Sequence, residues 1–341
     1  MKRFPHLVPV LGAAILLAAL CFIKPPGGSP ADVPIHRSDF LLNTFVDIAI
    51  YDSRDESILD GAMALCREYE NRFSRTLSGS EVYRLNHRED ATGTYPLSDD
   101  MTDLLATALY YCERSGGAFD ITTEPLSSLW NFSGTSPSVP PAEAIEKARK
   151  KVDYKKLRLD GTRSTLTFLD PGTSIDLGAI AKGYIADQLK AYLLDSGVES
   201  AMINLGGNVL CVGSRPDGTP FTVGLQKPFA DRNETFARVE VSDLSVVASG
   251  VYERHFVEDG KNYHHILDPS TGYPYDNGLI SVTILSERSV DGDALSTTCF
   301  SLGLSRGMEL VESMDGVYAC FIDEDYQIHY SDGMEKFLRK D

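Results

Sequence analysis

Apolar and polar positions along this chain follow two periods, one helical and one strand-like. Residues 57–73 place Ile58, Ala62, Leu65 and Tyr69 on one face, which predicts an amphipathic helix. The same spacing predicts further helices over residues 100–115, 140–152, 180–197, 294–302 and 305–314. Alternation or short apolar runs predict strands over residues 45–51, 165–169, 201–204, 209–212, 221–225, 237–241, 245–248 and 280–285, with a terminal hairpin over 316–322 and 327–330.

These elements mix without a regular strand–helix–strand alternation. That order predicts an α+β fold rather than a doubly wound parallel sheet. No internal repeat and no long linker divides residues 36–341, so they are expected to form one catalytic unit of mixed α/β subdomains. The Pro-Gly turn within residues 170–172 is a candidate joint between subdomains.

The first 35 residues are predicted to form a targeting segment and a tether rather than part of the folded domain. Met1-Lys2-Arg3 is basic and residues 7–23 are apolar, which predicts over residues 1–23 a secretory signal or an uncleaved anchor. Residues 18–21, Ala-Ala-Leu-Cys, resemble a bacterial lipobox, although Leu20 stands where a small residue is usual. Lipidation of Cys21 and a plain apolar anchor both remain open. Residues 24–35 are rich in Pro and Gly and are typical of a tether, so we expect an extracytoplasmic protein attached to the bacterial cell membrane.

Charge and cysteine usage exclude several classes of protein. With 32 basic and 49 acidic side chains the formal charge is −17, which argues against broad electrostatic binding of nucleic acid. Any phosphate site must therefore be local, built from a few donors or a metal ion. Beyond Cys21 the five cysteines are widely spaced and none forms a CxxC pair, so we predict buried, unpaired thiols rather than disulfides or a zinc site.

The segment Asp176-Leu-Gly-Ala-Ile-Ala-Lys-Gly183 is the first candidate for chemistry. Small residues leave the backbone accessible in the first turn of a predicted helix, where free amides favour anions. Lys182 lies close to the positive end of its own helix, and a bound anion would explain it. The alternative is a solvated Lys182 and an ordinary helix cap at Asp176. The segment lacks the Gly-Lys-Ser/Thr ending of a P-loop.

A second candidate lies near residue 293. Asp293 and Thr297 are four residues apart on one helical face, and their oxygens suit Mg²⁺. An N-capping Asp293 with an ordinary helical Thr297 is the alternative, and Asp291 competes for either role. His264-His265 offers a general base near neutral pH, or else a histidine that ends a strand and is satisfied by backbone.

Two glycine-rich turns could admit a ligand close to the backbone. They are Gly116-Gly-Ala-Phe-Asp120 and Asn204-Leu-Gly-Gly-Asn208. As isolated motifs both are better explained as tight structural turns. Phe119 could stack on an aromatic ligand or fill the core.

Taken together, these segments resemble the ApbE family, the FAD:protein FMN transferases. The resemblance covers residues 36–341, and its motifs occur in the family's order. They are Phe73-Ser74 with Ser80-Glu-Val82 and Arg84-Leu-Asn86, Gly117-Ala-Phe-Asp120, Asp176 to Gly183, Asn204 to Asn208, Ala248-Ser-Gly250 with Tyr252-Glu-Arg254, Tyr263-His-His-Ile-Leu-Asp-Pro-Ser-Thr-Gly272, and Asp293-Ala-Leu-Ser-Thr297.

The resemblance implies a T-fold-like enzyme that transfers FMN from FAD to a Ser or Thr hydroxyl of an acceptor flavoprotein and releases AMP. The acceptor site would be of the Ser/Thr-Gly-Ala-Thr type, on a membrane redox subunit or another extracytoplasmic flavoprotein. FAD hydrolysis and FAD storage without turnover are the rival functions. An adhesive surface protein is a further rival, and it leaves the ordered motifs unexplained.

The resemblance also assigns roles to residues. Mg²⁺ would be held by the backbone carbonyl of Ala179 and by the side chains of Asp293 and Thr297, with Ser296 nearby. Lys182 would meet the FAD phosphates and His265 would deprotonate the acceptor. The expected flavin contacts are Ala118, Phe119, Asp120, Asp176, Leu267, Leu42 and Thr76.

Two departures from the family pattern bear on FAD binding. Leu42-Asn43-Thr44 stands where Met-Gly-Thr is frequent, and Thr76 stands where an aromatic residue commonly follows Phe-Ser-Thr. Leu42 still supplies apolar contact, whereas Thr76 cannot stack on a ring. Both departures leave the expected metal ligands untouched.

Overall fold

The computed structural model describes residues 33–231 and 233–340. The helices are α1 (Glu56–Phe73), α2 (Glu81–Asn86), α3 (Asp99–Arg114), α4 (Glu124–Trp130), α5 (Ala142–Arg149), α6 (Ala181–Asp195) and α7 (Ser289–Glu312). The strands are β1 (Ile35–Leu41), β2 (Thr44–Ile50), β3 (Gly93–Pro96), β4 (Leu157–Asp160), β5 (Thr165–Phe168), β6 (Ala201–Leu205), β7 (Asn208–Val212), β8 (Phe221–Gln226), β9 (Thr235–Val241), β10 (Ser245–Gly250), β11 (His255–Glu258), β12 (Lys261–His264), β13 (Leu279–Ser286), β14 (Tyr318–Asp323) and β15 (Ile328–Tyr330).

An eight-stranded antiparallel sheet organises these elements. Its strand order is β1-β2-β6-β7-β10-β13-β14-β15. A three-stranded sheet, β3-β5-β4, and two hairpins, β8-β9 and β11-β12, complete the described strands. Helices combined with antiparallel sheets confirm the predicted α+β class.

The central sheet is covered on both faces, as strand β13 shows. All eight of its residues are buried. Val282 and Ile284 join the main core with the long helices, whereas Leu285 joins a second core with hairpin β8-β9. Successive side chains of a strand point to opposite faces, so this division places helices on one face and the hairpin on the other. Helices α6 and α7 both contribute to the main core and therefore lie on the first face.

Most of the predicted elements are confirmed, with ends that shift by a few residues. The two helices predicted over 294–302 and 305–314 follow one another within α7, which breaks at Gly303 where φ is 79°. The five cysteines of the described residues are buried and unpaired, as expected. The pattern missed the elements with short or polar sequences, namely β1, β3, β4, β11, β12, α2 and α4.

The predictions for residues 1–23 and 24–32 lie outside the described residues. β1 begins at Ile35, beside the predicted end of the tether. Within the described ranges, every helix is too short or too polar to cross a membrane.

Candidate active site

The N-termini of α6 and α7 pack directly against each other at Gly183. A Cβ atom there would lie 2.7 Å from the Ser289 carbonyl carbon and 2.7 Å from Cα of Val290, and closer still to the Ser289 oxygen. Only glycine permits this approach, because the opposing atoms are backbone atoms that cannot rotate away. Asp187 then accepts hydrogen bonds from the backbone N–H groups of Ser289 (2.8 Å) and Val290 (2.9 Å). The carboxylate of one helix thus satisfies free amides at the start of the other.

This crossing brings Lys182 and Asp293 together, in line with the single site that the family resemblance implies. Lys182 Nζ lies 3.7 Å from Asp293 Oδ1, and the Asp293 side chain is only 6% exposed. The other carboxylate oxygen of Asp293 accepts a hydrogen bond of 2.9 Å from the Gly183 backbone N–H. The N-cap residue of α7 is Arg288, so Asp293 does not cap its own helix. A buried carboxylate paired with one cation is the electrostatic centre of the site.

Asp291 does not compete for this position. Its Oδ1 accepts a hydrogen bond of 2.9 Å from the Tyr111 hydroxyl on α3, and Arg288 lies 3.6 Å from its Oδ2. Two residues of a helix are about 200° apart around the axis, so Asp291 and Asp293 point to different neighbours. The structure thus separates two carboxylates that the sequence left as alternatives.

Three hydroxyl groups extend the site one turn along α7. Thr297 Oγ1 lies 3.2 Å from Ser249 Oγ, and Ser249 Oγ lies 2.8 Å from Ser296 Oγ. Ser296 Oγ donates to the Asp293 carbonyl at 2.9 Å. These contacts fix β10 against the helix and hold Thr297 on the same side as Asp293.

The backbone carbonyl of Ala179 is left free by the same arrangement. In a regular helix the Gly183 N–H would donate to the carbonyl four residues earlier, which is that of Ala179. Here it donates to Asp293, and in the described part of the chain no other backbone N–H donates to this oxygen. A carbonyl, a carboxylate and a hydroxyl form an all-oxygen donor set, which fits a hard ion such as Mg²⁺. Within the described ranges, no three His, Cys, Asp or Glu side chains cluster to hold a metal ion.

His265 follows β12 and faces the same charges. Its Nδ1 is buried without a hydrogen-bond partner among the described residues. Burial is the main cause that lowers the pKa of His265 to about 3, and the positive charges of Arg254 and Lys182 contribute. The imidazole is therefore neutral near pH 7 and can accept a proton.

The neighbouring His264 has a structural role. Its Nε2 lies 2.9 Å from the Tyr275 carbonyl, and burial lowers the pKa of His264 to about 4. A carbonyl can only accept, so Nε2 carries the proton and donates it. The alternative of a backbone-satisfied histidine at the end of a strand thus applies to Nε2 of His264, while its Nδ1, like that of His265, is buried without a partner among the described residues.

The predicted flavin segment forms a hydrogen-bonded turn in which Phe119 and Asp120 are buried. Asp120 accepts hydrogen bonds from the Thr122 N–H (2.7 Å), the Thr122 hydroxyl (2.6 Å) and the Tyr154 N–H (2.9 Å). Phe119 is 3% exposed and lies in the main core, so it fills the core in this structure. The Ala118 carbonyl accepts a hydrogen bond of 3.0 Å from the Tyr275 hydroxyl.

Asp176 connects this turn to the start of α6. Its backbone N–H donates to the Ile121 carbonyl at 2.8 Å, and its carboxylate lies 3.3 Å from Arg75 Nε. The carboxylate also accepts a hydrogen bond from the Gly178 N–H at 3.0 Å. Asp176 is therefore more than a helix cap, because it links three segments that are distant in sequence.

The remaining predicted flavin contacts, Leu42, Thr76 and Leu267, have their own local partners. Leu42 adopts a left-handed backbone (φ 55°) in the β1–β2 turn, and its N–H donates to Glu70 at 2.8 Å. Thr76 is exposed, and its hydroxyl lies 3.2 Å from Ser74 Oγ. Leu267 is buried in the small cluster around Trp130. Within the described residues no hydrogen bond or ion pair joins these side chains to the Lys182–Asp293 pair.

A sequence profile described as the ApbE family matches residues 42–322. The chain belongs to the ApbE family. A protein of Klebsiella pneumoniae named FAD:protein FMN transferase is 37% identical, over 85% of this chain and 90% of that protein. A Treponema pallidum protein of the same name is 32% identical, over 95% of this chain and 94% of its own length.

Solved structures of ApbE proteins have the same fold. The crystal structure of the ApbE protein from Thermotoga maritima superposes with a TM-score of 0.82 at 32% identity, and covers 90% of this chain and 100% of that one. The flavin transferase ApbE from Vibrio cholerae gives a TM-score of 0.80 at 27% identity, and covers 89% and 99% respectively.

Three residues of this ApbE-family site carried no role in the sequence prediction. Asp187 caps α7, Ser249 forms a hydrogen bond with the Thr297 hydroxyl, and Arg75 forms an ion pair with Asp176. Ser249 lies within a family motif and Arg75 lies beside one. That location was the only sequence feature that could have suggested a role for either residue. Asp187 gave no signal, because its partners are backbone groups more than 100 residues away.

Proposed function

We propose that this chain transfers FMN from FAD to a Ser or Thr hydroxyl of an acceptor protein and releases AMP, with Mg²⁺ in the site. The observation that carries the proposal is the pairing of Lys182 with the buried Asp293, beside a free carbonyl, a hydroxyl and a neutral histidine. The names of the similar ApbE proteins, FAD:protein FMN transferase and flavin transferase, support the same reaction.

Each residue has a definite task in this proposal. Ala179, Asp293 and Thr297 would hold the metal ion, which would supply positive charge to the pyrophosphate oxygens. Lys182 binds a phosphate and balances its charge. A hydroxyl is a weak nucleophile, so His265 accepts the acceptor's proton as its oxygen attacks the FMN phosphorus.

The electrostatics of His265 change when FAD binds. In the free protein, nearby cations add to burial in lowering the pKa of His265. The anionic pyrophosphate would offset those cations, which raises the pKa and makes the imidazole a stronger base in the complex. The base would therefore be strengthened only when its substrate is present.

One assay separates transfer from its rivals. The soluble domain is incubated with FAD, Mg²⁺ and an acceptor domain that carries a Ser/Thr-Gly-Ala-Thr type site. Fluorescent flavin that stays on the acceptor in a denaturing gel, with AMP released, supports transfer. AMP and free FMN with no labelled acceptor would indicate hydrolysis, and retained FAD with no product would indicate storage.

The pH profile tests the role of His265. Because its pKa in the free protein is about 3, the base form is present throughout the range from pH 5.5 to 7.5. An imidazole with the ordinary pKa of about 6.5 would be about tenfold depleted in base form at pH 5.5. We therefore expect the titration of His265 itself to change kcat/KM, which reports the free enzyme, by less than about twofold over this range.

The His265→Gln variant is the control for that profile. It keeps a side chain of similar size and is expected to lose about 100-fold or more in kcat. An acid limb near pH 6.5 in the native protein that vanishes in this variant would show that His265 titrates normally. An unchanged kcat in the variant would remove its role as base.

We infer that the protein works outside the cytoplasm, held at the bacterial membrane through residues 1–23 or a lipid on Cys21. The basic start and apolar run of that segment support this location. In a bacterial host, the full chain is expected in the membrane fraction, and Cys21→Ala releases it only if a lipid is the anchor. Recovery of the intact full chain in the soluble cytoplasmic fraction would contradict the proposal.

A further inference from the structure

Arg254 lies directly opposite His265 at the base of the β11–β12 hairpin. The last ladder pair there is His255 with His264, and the His265 N–H donates to the Arg254 carbonyl at 3.1 Å. This bond continues the register by one pair. Residues opposite each other in an antiparallel pair have their side chains on the same face of the sheet. Arg254 and His265 therefore share one face, and the positive charge of Arg254 acts on the imidazole.

The Arg254 side chain has no acidic partner in the described part of the chain. It is exposed, and among the described residues its guanidinium forms no ion pair or side-chain hydrogen bond. Lys182 is a second cation whose charge reaches His265. His265 Nδ1 is buried without a hydrogen-bond partner in the described ranges. Both positive charges act on this imidazole, and an anionic ligand with a nearby hydroxyl would satisfy the two cations and the unpartnered nitrogen.

We propose that Arg254 is a further catalytic residue, whose guanidinium binds the non-bridging oxygens of the FMN phosphate in FAD. This inference rests on the proposed flavin transfer and names the phosphate that the residue recognises. The acceptor oxygen bonds to the FMN phosphorus, the bond from that phosphorus to the bridging oxygen breaks, and the bridging oxygen leaves with AMP. The acceptor's proton passes to His265.

The position of Arg254 favours the FMN phosphate over the AMP phosphate. In an in-line displacement the attacking and leaving oxygens lie on opposite sides of phosphorus. His265, as the base, must lie on the attacking side, and Arg254 shares its face. Arg254 is therefore closer to the phosphoryl group under attack than to the departing AMP. Its planar donors match phosphate oxygens in pairs.

Binding of FMN and riboflavin, which differ by one phosphate, tests this assignment by isothermal titration calorimetry with Mg²⁺ present. In Arg254→Gln we expect FMN and FAD affinities to fall about 10- to 100-fold with riboflavin affinity unchanged. Arg254→Lys should restore part of the loss, because it keeps the charge without the paired donors. The hairpin should survive in both variants, since Arg254 holds His265 through its backbone carbonyl.

Arg158→Gln is the matched control, because Arg158 is an exposed arginine on β4. It should leave the affinities for all three ligands unchanged. Equal losses of riboflavin and FMN affinity in Arg254→Gln, or no loss of either, would overturn the assignment. The function is tested separately with the native protein. If the native protein labels no acceptor while Arg254→Gln still loses FMN selectively, flavin transfer fails and the phosphate contact stands.

Discussion

Replacing Asp293 by asparagine is expected to lower kcat/KM for flavin transfer about 100-fold or more. Asparagine still accepts the hydrogen bond from the Gly183 N–H, so the helix crossing should hold. The charge that balances Lys182, and that would help to hold Mg²⁺, is lost. Loss of one oriented group at a site of charge development costs about 100- to 1,000-fold in mutational studies. The rate of acceptor labelling across a Mg²⁺ titration measures the effect.

Asp291→Asn is the control, because Asp291 faces Tyr111 rather than Lys182. Its rate and Mg²⁺ dependence should stay close to those of the native protein. Direct Mg²⁺ binding by calorimetry gives a second readout, and Asp293→Asn should bind the ion more weakly while Asp291→Asn binds it normally. If Asp293→Asn labels the acceptor at the native rate with an unchanged Mg²⁺ requirement, Asp293 is not a metal ligand.

The second large effect is expected from Gly183→Ala. Alanine favours an isolated helix over glycine by about 1 kcal/mol, so local propensity alone predicts a small gain in stability. The added methyl group meets the backbone of Ser289 and Val290 at distances that atoms do not adopt, and α6 and α7 must separate. Overpacking of this kind costs about 1–3 kcal/mol, so we expect a net loss in the free energy of unfolding. Misplacing Lys182 from Asp293 by about 1 Å should cost about 100-fold in activity.

Gly161→Ala is the matched control, because a Cβ at Gly161 meets no atom within 4 Å. It should leave both the activity and the midpoint of urea unfolding near the native values. Both quantities should fall in Gly183→Ala. A variant at Gly183 that unfolds at the native midpoint and keeps native activity would show that the two helices separate without cost.

The long elements followed from the sequence because their patterns are local. The apolar face of α1 recurs every three to four residues; Ala62 and Tyr69 of that face are buried, and Ile58 and Leu65 pack partly buried against the same core. β1 and the β11–β12 hairpin were missed for the opposite reason. Most of their residues are exposed or only partly buried, so no apolar period marks them. A short hairpin at the edge of a fold depends on its pairing partners more than on its own composition.

The candidate site was likewise predicted only in part from the sequence. The residue types needed for a phosphate and a hard metal ion were evident from the sequence. Helical spacing made Asp293 and Thr297 neighbours, and the family resemblance added Lys182 to the same site. The sequence left Asp293 and Asp291 as alternatives, and packing decided between them: α7 turns Asp291 toward Tyr111 of α3 and Asp293 toward Lys182. The free carbonyl of Ala179 depends on a hydrogen bond across two helices.

By itself, the sequence determined the class of fold, the family and the chemical types of the site's donors, because these reside in local periods and ordered motifs. Tertiary structure alone decided which donors meet. Three contacts show this: the close approach at Gly183, the cap from Asp187 and the pairing of Arg254 with His265. Each contact joins two elements whose local sequence patterns say nothing about the other. Distances between such segments are set by packing and by strand register, and neither is encoded in the spacing of residues along the chain.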